Sequence, residues 1–102
     1  MDILLSTNVN LPTSIPYFLW DEPMSVAELR VKLASSSNEE RTRLLAKILR
    51  EARDTDVWKF TTPQDVWLNW DKLSPHLGRR REFWKFLLNA WEKEGLIGEN
   101  VT

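Results

Sequence analysis

Few residues of the 102-residue chain have the types and spacing that catalysis needs. The only histidine, His76, stands between Pro75 and Leu77, and there is no cysteine, which excludes a disulfide, a thiolate nucleophile and a cysteine metal site. The three glycines form no phosphate-binding motif. Several carboxylates stand where they would begin a helix or pair with a base along it, which gives them structural roles. We therefore predict no enzymatic activity, no catalytic or metal-binding residue and no cofactor.

Two groups of basic residues could instead contact phosphates of a nucleic acid. They are Arg43, Lys47 and Arg50 in one predicted helix, and Arg79, Arg80 and Arg81 at the start of another. Local contacts explain part of this pattern, because Arg80 and Trp84 have the i,i+4 spacing of a cation–π pair. The net charge of −1 gives no general attraction to nucleic acid. Nucleic-acid binding, or a related regulatory role, is therefore an alternative rather than the leading hypothesis.

Aromatic residues are abundant, with six Trp and four Phe. Four consecutive apolar residues run from Tyr17 to Trp20, and neighbours in an extended segment point to opposite sides. At least one should then be exposed or covered by a partner, unless the segment coils into a turn. Aromatic residues and arginine dominate protein–protein hot spots. The predicted partner-binding residues are Tyr17, Phe18, Leu19, Trp20, Trp84 and Trp91. The aromatic and aliphatic residues predicted for the core are Trp58, Phe60, Trp67, Phe83 and Leu87.

Helix start signals place these residues on several short helices. Ser25 with Glu28, and Ser37 with Glu40, are capping boxes, and Thr62 followed by a proline marks a third start. The expected helices cover about residues 26–34, 39–54, 63–73 and 79–94, with a short turn near 57–60 and Gly95 ending the last helix. Within the second helix we expect Glu39–Arg43 and Lys47–Glu51 ion pairs. The fold class is thus all-α: an irregular or helix-pair repeat-like bundle of four to five short helices.

The last predicted helix has an unusually wide apolar surface. Its seven apolar residues between Phe83 and Trp91 spread over roughly 200°, against the ~100° stripe of an ordinary surface helix. The helix should therefore be covered on two sides, by the bundle or by another molecule. A protein partner or a second copy of the chain would both satisfy this requirement.

The division of the chain follows from composition and charge. Residues 1–24 contain three prolines and a charge of −3, and we predict an extended N-terminal arm attracted to a mildly basic body. Residues 25–97 form the helical domain, and residues 98–102 a flexible C-terminal tail. No basic leader or long apolar run is present, so a cytoplasmic location and no membrane association are expected.

Two phrases of the sequence resemble a group of small uncharacterised bacterial proteins. One is Pro16-Tyr17-Phe18-Leu19-Trp20-Asp21, and the other runs Ala52-Arg53-Asp54-Thr55-Asp56-Val57-Trp58-Lys59. The likeness covers roughly residues 10–92. Such proteins look like neighbours of nucleotidyltransferase-type toxins, so the resemblance implies an antitoxin-like or accessory role. Together with the aromatic surface, it makes a non-catalytic protein–protein interaction module the leading prediction, with a toxin as one partner and a homodimeric structural protein as an alternative.

Overall fold

A computed structural model of the chain describes residues 4–35 and 37–98. These residues contain six helices: α1 Val26–Ser35, α2 Asn38–Glu51, α3 Asp54–Val57, α4 Pro63–Leu68, α5 Trp70–Leu73 and α6 Arg81–Lys93. Short 3-10 turns cover Tyr17–Leu19, Ser74–His76 and Gly78–Arg80. Strands β1 Leu5–Ser6 and β2 Ile15–Pro16 form one parallel pair. The predicted all-α class with short helices is confirmed.

The helix boundaries follow the capping signals. Backbone N–H groups of Glu28, Glu40 and Asp65 donate to the side-chain oxygens of Ser25, Ser37 and Thr62 at 3.1, 3.3 and 3.1 Å. At the end of α6, Gly95 has a φ of 77°, which favours glycine. The N–H groups of Gly95 and Leu96 donate to the carbonyls of Glu92 and Trp91 at 3.0 and 2.9 Å, forming a Schellman motif.

One predicted helix is divided in two. The segment expected to be helical over residues 63–73 forms α4 and α5, with Asn69 between them at φ −106° and ψ 15°. The Asn69 side-chain amide donates to the Asp65 carbonyl at 2.8 Å, and the Asn69 backbone N–H donates to the same oxygen at 3.1 Å. This side-chain bond competes with regular helical pairing and accompanies the break.

The core surrounds α2, which packs against α1 on one side and against α5 and both later 3-10 turns on the other. The α2 residues Leu44, Ile48 and Leu49 are fully buried. Four of the five predicted core residues lie partly buried against this core: Trp58, Phe60, Trp67 and Leu87. The prediction for Phe83 is wrong, because its side chain lies on the exposed flank of α6.

The N-terminal segment lies against the helical body, with its two short strands followed by a 3-10 turn. Its 3-10 turn, Tyr17–Leu19, directs Phe18 and Leu19 into the core. Phe18 packs edge-to-face on Phe60, with ring centroids 5.7 Å apart. The turn resolves the conflict of four consecutive apolar residues, because a coiled segment can present neighbours to the same side. The predicted C-terminal tail falls, from residue 99 onward, outside the described residues.

Candidate functional site

Three of the predicted partner-binding residues are interior residues. Trp84 is fully buried, and its indole N–H donates to the backbone carbonyl of Leu49 at 2.8 Å. Phe18 and Leu19 are buried as well, so the prediction that these three side chains contact a partner is wrong for this conformation. The physical reason is that a bulky apolar side chain in a small domain gains most by filling its own core.

The other three candidates differ in exposure. Trp20 is 62% exposed and follows the 3-10 turn, so it remains available to a partner. Trp91 is half-buried, with its ring 5.8 Å from that of Trp58. Tyr17 is also half-buried: its hydroxyl donates to Asp56 Oδ2 at 2.6 Å and accepts the Arg53 backbone N–H at 2.8 Å. Burial, followed by the Asp56 carboxylate, raises the pKa of Tyr17.

The basic residues of α2 are held by carboxylates of the N-terminal segment. Arg43 bonds Glu22 through both terminal nitrogens, at 2.7 and 2.9 Å, and also pairs with Glu40. Lys47, whose side chain is only 6% exposed, bonds Asp21. Hydrogen bonding to Arg43 and Lys47 lowers the pKa of Glu22 and Asp21, respectively.

This arrangement replaces the expected pairs within the helix. Arg43 pairs with Glu40 in place of Glu39, and Lys47 pairs with the N-terminal segment in place of Glu51. Glu51 bonds Arg50 instead. The expected attraction between the acidic N-terminal segment and the basic body is present, and it is concentrated at α2. All three candidate phosphate contacts in α2 are thereby already paired with carboxylates.

The three consecutive arginines have separate roles. Arg80 donates to the Ala52 carbonyl at 2.8 Å, and its guanidinium carbon lies 4.9 and 5.2 Å from the ring centroids of Phe83 and Trp84. The expected cation–π pair of Arg80 with Trp84 is therefore present. Arg81 pairs with Glu82 at 2.9 Å, and Arg79 is exposed. These contacts leave Arg79 as the best placed of the three for an external partner.

One flank of α6 carries exposed apolar residues. The buried side of the helix includes Trp84 and Leu88, whereas Phe86 is 72% and Phe83 39% exposed. Together with Ala90, these phenylalanines have the 3–4 spacing of residues that line one seam of a coiled coil. The sequence predicted that this helix is covered on two sides, and the chain itself covers one of them. We call the set of exposed Phe83 and Phe86 with the partly buried Ala90 the α6 seam.

Comparisons with other proteins supply no family. No family model matches the sequence, and neither curated proteins nor solved structures gave a significant match. The resemblance to small bacterial proteins therefore stays a prediction, and any function has to be argued from the geometry.

Charges mark both ends of the α6 seam. The same spacing, continued outward, reaches Arg79 in the preceding 3-10 turn and Lys93 in the last turn of α6, and both are exposed. Phe86 was the residue that sequence reasoning did not single out. Its signal was its position seven residues before Lys93, which places these two on one side of α6, and seven residues after Arg79 in the 3-10 turn that precedes the helix.

The described residues show neither a metal-binding cluster nor a membrane-spanning helix. Histidine and acidic side chains there form no group of three that could hold a metal ion. No helix in residues 4–35 and 37–98 is long and apolar enough to cross a lipid bilayer. The exposure of Phe86 and Phe83 makes the α6 seam, with Trp20 as a separate exposed aromatic residue, the candidate site for a protein partner.

Proposed function

We propose that this protein is a non-catalytic interaction module that binds a protein partner through the α6 seam. The observation that carries the proposal is the exposure of Phe86 and Phe83 on a helix whose opposite side is anchored by the buried Trp84. A rigid helix with projecting aromatic residues is a common form of binding surface. An antitoxin-like role, suggested by the resemblance described above, is the specific form of this proposal.

The charges at the ends of the seam favour a different protein over a second copy. In an antiparallel two-fold pairing of α6, Arg79 of one copy approaches Lys93 of the other; in a parallel pairing, each cation meets its own copy. Like charges meet at both ends in either case, which disfavours self-association. The partner that fits is an amphipathic helix with an apolar stripe and carboxylates beyond each end of it.

Site-specific photocrosslinking tests this proposal in cells. A photoreactive phenylalanine analogue at position 86 should form a covalent adduct with one distinct protein, which mass spectrometry identifies. The matched control places the same analogue at Val31, which is exposed on α1. The identified protein is then purified and its affinity measured with Phe86→Ser, which should weaken binding by about thirtyfold, the loss of a hot-spot residue.

Three outcomes would contradict the proposal. They are identical adducts from positions 86 and 31, adducts only between copies of this chain, and an affinity that Phe86→Ser leaves unchanged. The identity of the captured protein tests the antitoxin-like role separately. A partner with no toxic activity would agree with an interaction module but would contradict the antitoxin-like role.

A further inference from the structure

A second surface feature lies along α2. It is a groove of about 880 Å³ between the N-terminal segment, one face of α2 and the segment that contains α5 and the following 3-10 turn. The groove is lined by residues that include Arg43, Ala46, Lys47, Arg50, Lys72 and His76. None of them belongs to the α6 seam. The volume is within the range of about 300–1,000 Å³ that is typical of small-ligand sites.

The charged residues that line the groove differ in whether they have an ion-pair partner within it. In the middle, Arg43 and Lys47 are paired with Glu22 and Asp21, which also line the groove. At the end nearest the C-terminus of α2, the lining residues are Arg50, Lys72 and His76. Arg50 pairs with Glu51, which does not line the groove, and among the described residues the ion pairs include no partner for Lys72. The surplus positive charge therefore lies at this end.

Two hydrogen bonds hold the Arg50 guanidinium in place, and its other N–H groups remain free to bind a ligand. One terminal nitrogen, Nη1, donates to the backbone carbonyl of His76 at 3.0 Å, and Nε donates to Glu51 at 3.1 Å. A guanidinium has five N–H donors, so Nη2 and the second proton of Nη1 are left by these two bonds. The bond to His76 also joins α2 to the 3-10 turn, which fixes the guanidinium beside the His76 position.

We propose that this end of the groove is a binding site for a small organic phosphate monoester. The phosphate group would accept hydrogen bonds from Arg50, Lys72 and His76, and the organic part would lie along Thr42 and the aliphatic stem of Arg43. A monoester carries about −1.5 to −2 charges at pH 7 and several acceptor oxygens, which suits the Lys72 ammonium and the remaining N–H donors of Arg50 better than a monocarboxylate does. Arg50 supplies the planar pair of donors that phosphate oxygens prefer.

Titrations of the intact protein at constant ionic strength test this site, with NMR amide shifts and calorimetry as readouts. The probes are inorganic phosphate, glycerol 2-phosphate, adenosine 5′-monophosphate and succinate. Amides of α2 and of residues 72–77 should shift with the two monoesters. Lys72→Ala with His76→Ala should weaken monoester binding by about tenfold, because two contacts to a charged group are lost.

Arg41→Ala is the matched control, because it removes a cation from α2 outside the groove. Its effect should be less than about twofold, the size expected for a screened distant charge. The proposal is overturned if the monoesters do not bind, if Arg41→Ala weakens them as much as the double variant, or if succinate binds equally well. Tighter binding of a single-stranded oligonucleotide, with all basic residues contributing, would assign the groove to nucleic acid and also overturn it. None of these outcomes bears on the α6 seam.

Discussion

Trp84 joins three parts of the structure through a single side chain. Its ring makes edge-to-face contacts with Trp58 and Phe83, with centroids 5.5 and 4.9 Å apart. Its indole N–H bonds the carbonyl of Leu49, in the last turn of α2, where a helix leaves carbonyls without an intrahelical partner. The side chain therefore combines core packing with capping of the central helix.

The variant Trp84→Phe separates these two contributions. It keeps an aromatic ring in the core but removes the donor to Leu49, leaving a buried carbonyl unsatisfied. We expect the free energy of unfolding to fall by about 1–3 kcal/mol from the lost hydrogen bond, with a further loss from the smaller ring. Urea denaturation measures the change. Trp91→Phe, a half-buried neighbour in the same aromatic cluster, serves as the control, and an equal loss in both variants would contradict the capping role.

At the scale of the elements, local signals in the sequence were sufficient to place most helices. Ser25, Ser37 and Thr62 each cap the helix that they were expected to begin, because capping depends on residues only three positions apart. The break at Asn69 was not foreseen, since its side chain has a choice between solvent and the carbonyl four residues earlier.

Long-range contacts were harder to predict from sequence. Trp84 and Phe83 are adjacent and both aromatic, yet the first is buried and the second exposed. The choice depends on which side of α6 faces α2, and a wide apolar arc does not specify that direction. Similarly, helical spacing favoured Glu39 as the partner of Arg43, whereas folding brings the distant Glu22 into bidentate contact.

The contact between the N-terminal segment and α2 should depend on pH. The pKa values of Asp21 and Glu22 are lowered in the folded state from ordinary values of about 4. These ion pairs therefore contribute stability above about pH 4, and that stability is lost as the pH falls through the lower folded-state pKa values. In an Asp21→Asn/Glu22→Gln variant, the free energy of unfolding should be lower at neutral pH and should converge with that of the wild type in acid.

Urea denaturation between pH 7 and pH 3 measures both curves. Repeating the series at about 1 M salt provides the control, because screening should reduce the difference between the proteins at neutral pH. Parallel curves that never converge would mean that these two carboxylates stabilise the fold by a means other than their charge.

At the scale of the whole molecule, the structure separates two surfaces. The α6 seam is apolar with a cation beyond each end, whereas the groove along α2 is lined mostly by charged residues, with surplus positive charge at one end. They share no residue, so a protein partner on one surface does not by itself occupy the other. Trp84 nevertheless links the two helices directly, because α6 is anchored through it to the last turn of α2.

A single charge reversal should convert the α6 seam into a self-association surface. In Lys93→Glu, an antiparallel pairing of α6 would place Arg79 of each copy beside the new carboxylate of the other, replacing two repulsive contacts by two attractive ones. Each exposed pair is worth about 0.2–1 kcal/mol, so the dimer dissociation constant should fall by about tenfold, as measured by sedimentation equilibrium.

Lys93→Gln, which removes the repulsion without adding attraction, should give an intermediate dissociation constant. The combination with Arg79→Glu should restore repulsion and the weaker association. If Lys93→Glu and the double variant associate equally, the two cations do not lie at opposite ends of one contact surface, and their charges do not disfavour a homodimer at this seam.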